Sequence, residues 1–146
     1  MTEWKTIAAD TAGRLRRDGL IGGALALLIL AAAPPTASAH GFAGPLAWWL
    51  LLASCLLALA LSVHLLFDAA LFCLAGSHDE EPAGLAAIDD VLARMGLRRR
   101  DGMPRPLRER IAGCRRLVWR QRIALTAAAL LYAVLLLDAT DGAGLC

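Results

Sequence analysis

Two ionisable side chains four residues apart, His64 and Asp68, stand in the most apolar stretch of the chain. On a helix that spacing puts an imidazole and a carboxylate on one face, a pair able to pass a proton, hold an ion or bind a ligand headgroup. No other acidic residue occurs between Asp18 and Asp79. Ionisable groups at membrane depth are costly and mark function by default. Counting about 20 residues inward from Leu46, however, puts His64 at the edge of the hydrocarbon and Asp68 beyond it. There a polar pair is relieved by hydration and snorkelling. The competing reading is therefore a structural pair bonded to a neighbouring helix.

The second group of chemistry-bearing residues is cationic. All fifteen Lys and Arg fall in two blocks: Lys5, Arg14, Arg16 and Arg17, then eleven arginines between Arg94 and Arg122. On a helix starting at Pro106, Arg108, Arg115, Trp119 and Arg122 share a narrow arc, while Leu107, Ile111, Cys114 and Val118 form an apolar stripe. Such a basic stripe beside a membrane attracts anionic lipid headgroups or docks a partner. Nucleic acid is excluded as a partner, since no reader motif or aromatic interleaving accompanies the arginines.

Other candidates carry less. The four cysteines (Cys55, Cys73, Cys114, Cys146) show no CxxC or paired spacing, so they read as apolar fillers and imply no metal site or disulfide framework. His40 has no second histidine near it, and His78 sits in the solvated acidic run Asp79-Glu80-Glu81. There is no GxSxG, P-loop, HExxH or GxGxxG motif. Hence no catalytic residue is assigned, a non-enzymatic chain is expected, and the sequence names no cofactor.

The elements that position these groups are membrane helices. With 58% hydrophobic residues and a mean hydropathy of +0.57, the chain is more apolar than an ordinary soluble domain. Residues 1–18 form an N-terminal amphipathic leader, with Trp4, Ile7, Ala8, Ala12 and Leu15 at helical spacing, suited to lying on the membrane surface with Trp4 at the interface. Residues 19–39 form the first transmembrane helix, its clean part Gly19–Ala33 because Pro34-Pro35 interrupts it. Alternatively they are signal-like, since Ala37-Ser38-Ala39 fits a small-x-small cleavage pattern. Retention is favoured because a leader of this length exceeds the usual range of about 15–30 residues. Gly19 and Gly23 form a GxxxG face for close helix approach, with Gly22 and Ala26 displaced by one position.

Residues 46–75 form the second transmembrane helix, opened by Pro45 and anchored by Trp48 and Trp49. Residues 76–116 form a helical hairpin: an acidic linker, a helix carrying Leu85, Ile88, Val91, Leu92 and Met95 that stops at Gly96, then a basic turn. The third transmembrane helix, 117–138, continues the helix from 106, and 139–146 is a short tail. The fold class is all-α: three transmembrane helices with a cytoplasmic helical hairpin between the second and third.

Both basic blocks lie on one side only if the chain crosses three times, so the positive-inside rule puts the N-terminus in the cytoplasm and the C-terminus outside. The expected place is a bacterial-type inner (plasma) membrane. The expected role is an accessory or scaffold subunit of a protein complex, contacting other membrane subunits through Gly19, Gly23, Ala124 and Ala128. The alternative is a small oligomeric transporter or proton- or ion-conducting subunit using His64 and Asp68.

Overall fold

A computed structural model describes residues 3–36, 44–96 and 107–143, all in four helices and the turns beside them, with no strand among the described residues. Helix α1 is Glu3–Thr36, α2 is Gly44–Gly76, α3 is Glu81–Arg94 and α4 is Leu107–Ala143. Three of them, α1, α2 and α4, are long and apolar enough to cross a membrane. At 1.5 Å per residue each of these is about 50 Å long, against a hydrocarbon core of about 30 Å. Some turns of each therefore stand outside the hydrocarbon.

The leader and the first membrane helix are one element. Trp4, Ala8, Ala12 and Leu15 are buried on protein rather than laid on lipid, and Trp4 is only 8% exposed. A stripe of that shape serves equally for a lipid surface or a helix partner, and the projecting turns of α2 supply the partner. Nor do the prolines end α1 at Ala33. They occupy its last turn, where the two carbonyls they leave without a donor can reach the headgroup region or a neighbouring helix. Thr36 secures that turn, its hydroxyl donating to Ala32 O at 2.5 Å and sharing a hydrogen bond with the Tyr132 hydroxyl at 2.7 Å. Residues 37–39, with the small-x-small pattern, and His40 lie outside the described residues, as does Pro106.

Helices α1 and α4 run parallel and α2 runs against both, stacking the core in layers. At the basic end Trp4, Ala8, Leu71 and Ala75 meet Leu85 and Ile88 of α3. Next come Ala12, Leu15, Leu65, Ala69, Phe72 and Cys114. The mid-membrane layer is three alanines, Ala26, Ala58 and Ala124. The far layer holds Ala33, Leu51, Cys55, Ala128 and Leu135. α3 starts with Pro82 in its first turn and stops where Gly96 takes φ +71°, its N–H donating to Ala93 O. It folds back on the ends of α1 and α2 and is tied to α4 by the Asp89–Arg110 ion pair. At its other end α4 remains helical past Asp138, to Ala143.

Between the second layer and the alanine layer lies one polar node. Gln121 is 2% exposed, and its Nε2 donates to Ser62 Oγ at 2.7 Å, while Ser62 donates to Ala58 O at 2.8 Å. The third wall is Gly22, where an added Cβ would lie 2.6 Å from Gln121 Cδ. The two small-residue rows of α1 thus serve different neighbours. Gly19 and Gly23 face Leu66 and Ser62 of α2, and Gly22 faces α4. Ala124 and Ala128 are buried as packing residues of α4. Gly22→Ala is expected to destabilise the bundle by about 1–3 kcal/mol, because the buried carboxamide must give way. Gly13→Ala, whose Cβ meets nothing within 4 Å, should instead raise stability by up to about 1 kcal/mol through helix propensity. Thermal unfolding of both variants in mild detergent checks the contrast.

Candidate functional site

The layers place the polarity change of all three long helices at one level. Asp18 ends the charges of α1, Arg122 those of the basic half of α4, and the second core layer brings Leu65, Ala69, Leu15 and Cys114 together just above them. Asp68, beside Ala69, therefore lies at the level of the arginine block and not in the apolar middle. Trp119, 66% exposed, stands at the same boundary, and Trp49, 70% exposed, near the opposite one. Such rings suit the two interfaces of a bilayer.

His64 and Asp68 share a helix face, but no hydrogen bond joins them among the described residues. His64 is exposed and its Nδ1 lies 2.9 Å from Ala60 O, which puts the proton on Nδ1 and turns Nε2 outward. Asp68 is half-buried and accepts a hydrogen bond from the Cys114 thiol of α4 at 3.5 Å. Its bonded partner is thus a thiol where an arginine would be the electrostatic choice. The arginines are close by, since Asp68 opens on a cleft of about 780 Å³ between α2, α3 and α4 whose rim includes Arg110, Arg116 and Arg120. Phe72, Ile88 and Leu117 supply its apolar wall. Sequence reasoning passed over Cys114 as a partner. Its place on the Leu107–Ile111–Cys114–Val118 stripe signalled a packed face, but nothing in the sequence pairs that face with Asp68.

Arg108, Arg115, Trp119 and Arg122 are all exposed on α4. Arg115, Trp119 and Arg122 line a second cleft, of about 890 Å³, which Arg108 does not line. Its other wall is a stripe of α1 including Asp10, Arg14 and Asp18, which the sequence did not pair with α4. At the tip of the same basic end His78 caps α2, its Nδ1 lying 3.1 Å from Leu74 O, and Asp79 accepts from Lys5 Nζ at 2.6 Å. The Lys5 ammonium holds the Asp79 carboxyl below its ordinary range. The stabilising effect of that exposed pair is therefore present above the ordinary carboxylate pKa and is lost as pH falls through the lowered value. No group of three or more metal-ligating side chains occurs among the described residues.

Compared with protein-family models, with curated proteins and with solved structures, the chain matches none. Its chemistry must be argued from its own geometry.

The ion pairs of the basic end differ in burial, and their contributions differ with it. In the Asp89–Arg110 pair that joins α3 to α4, the side chains are 22% and 13% exposed, against 58% and 78% in Asp10–Arg14. Arg110→Met is expected to destabilise by about 2 kcal/mol, since it removes a cationic partner from a carboxylate that is only 22% exposed. Arg14→Gln should shift stability by less than about 0.5 kcal/mol. Chemical unfolding in detergent micelles compares the two directly.

Proposed function

We propose that the chain is a non-enzymatic accessory or scaffold subunit of a bacterial-type inner-membrane complex. Its basic end, residues 76–122, would face the cytoplasm and dock a partner, while its helix faces would contact other membrane subunits. The observation that carries this reading is the filled centre of the bundle. Ala26, Ala58 and Ala124 meet there, and the Gln121 carboxamide is wedged against Gly22 just above them. A conducting or transporting chain needs a polar series through that level, and these residues leave none of the space it requires. Outward, Leu25, Leu28, Leu130, Val134 and Leu137 are exposed, a surface for lipid or for the helices of other subunits.

A second reading, a small oligomeric transporter or ion-conducting subunit, is supported by one observation: half-buried Asp68 opens on a cleft rimmed by arginines. Such a pathway would have to run between copies, with His64 on the outer surface as its second group.

The two readings predict different losses. Native mass spectrometry from mild detergent should find the chain with unlike subunits, and a single homogeneous homo-oligomer would sink the accessory reading. Asp68→Asn and His64→Ala should leave those partners bound; loss of an ion flux in liposomes, with assembly intact, would instead establish the transporter. For orientation, an impermeant maleimide added outside intact cells should reach Cys146 and not Cys73, which is exposed at the basic end of α2. Labelling of Cys73 would reverse the topology.

A further inference from the structure

The cleft between α1 and α4 has the charge profile of a phospholipid. Five arginines, including Arg14, Arg115 and Arg122, line it against two aspartates, Asp10 and Asp18. Arg14 is paired with Asp10 at 2.8 Å in an exposed contact that solvent already shares. The side chains of Arg115 and Arg122 have no ion pair or hydrogen bond among the described residues. They are seven residues apart on one face of α4, opposite the stripe of α1 that carries Arg14 and Asp18, so cations from two helices converge on one space.

The floor and the exit are apolar. Leu15, Ile111 and Val118 lie beneath the arginines. Toward the membrane interior both helices turn apolar at once, with exposed Ile21 and Leu25 one and two turns beyond Asp18 and exposed Ile123 one turn beyond Trp119. Trp119 stands at the boundary between the two zones, where an indole prefers the headgroup level.

We propose that this cleft is a discrete binding site for one acidic phospholipid of the leaflet next to the basic end. The phosphate diester sits between Arg115 and Arg122, with Arg14 facing it. Asp18 accepts from a headgroup hydroxyl, and an acyl chain follows Ile21 and Ile123 into the bilayer. An arginine fork matches phosphate oxygens in geometry as well as charge. The site holds whichever protein partner the chain serves, and it sharpens a diffuse basic stripe into a pocket built by two helices.

The test uses the full chain in nanodiscs of equimolar phosphatidylglycerol and phosphatidylcholine, released for native mass spectrometry. One phosphatidylglycerol is expected to remain on the wild-type protein. R115Q/R122Q should lower its retention about twenty-five-fold, at about five-fold per arginine, while R94Q/R108Q, which removes two arginines outside the cleft, should leave it nearly unchanged. Equal retention of phosphatidylcholine, or an equal loss in R94Q/R108Q, overturns the site in favour of a diffuse field. Displacement of the lipid by millimolar inorganic phosphate overturns it in favour of a free-anion site. An acidic polypeptide held in its place by Arg115 and Arg122 overturns it in favour of a protein interface. A second measurement needs no arginine variant. Brominated phosphatidylglycerol should quench Trp119, with W119F as blank, at a lower mole fraction than brominated phosphatidylcholine, and equal quenching contradicts the proposal.

Discussion

A carboxamide buried at the edge of hydrocarbon must be hydrogen-bonded, and in this bundle one position satisfies Gln121: against Ser62 of α2, in the space left by Gly22 of α1. An apolar contact in the same place would tolerate sliding, because lipid chains solvate leucine as well as a neighbouring helix does. The hydrogen bond does not. Moving α4 one turn strands the amide in a medium that offers no replacement. The vertical register of all three long helices is therefore set at one level, and the rest of the bundle inherits it. Below the node the three alanines meet. Above it Cys114 comes opposite Asp68, and Arg115 and Arg122 come opposite Arg14 and Asp18.

The surplus length of the helices explains why the basic end has structure of its own. The turns standing beyond the hydrocarbon bring apolar stripes with them, and water makes burial of those stripes favourable in a way lipid does not. Trp4, Leu71 and Ala75 bury Leu85 and Ile88 of α3 for that reason. The protein thus has two kinds of core: one held by close approach and the buried Gln121–Ser62 hydrogen bond, the other by ordinary hydrophobic burial under a short helix.

Much of this was legible in the residues. The three spans, the place of Pro45 in the first turn of α2, the stop of α3 before Gly96 and the inward stripe of Leu85 and Ile88 follow from hydropathy, periodicity and turn chemistry, which are local properties. Three features were not legible. The burial of Trp4, Ala8, Ala12 and Leu15 on protein has the same sequence signature as a helix resting on lipid. The Cys114–Asp68 contact joins residues on different helices, and without a register no pairing can be read from either one. Gln121 is hidden among arginines, where one more polar residue is unremarked. The signal that would have exposed it was the second small-residue row, Gly22 and Ala26, for which a separate neighbour had to exist.

Trp4 and Gly84 carry a consequence for how the chain is made. Gly84 is buried so close to the indole that a Cβ there would stand 2.9 Å from Trp4 Cζ2 and 2.7 Å from Ala75 O. The first turn of the first helix is thus sealed by a segment synthesised long after it. α1 and α2 can insert and pair as a hairpin while the ribosome is still working, but Trp4 stays uncovered until Leu85 and Ile88 have emerged and folded back. Trp4 is made well before the segment that covers it, so exposure of that one indole reports whether the chain has closed.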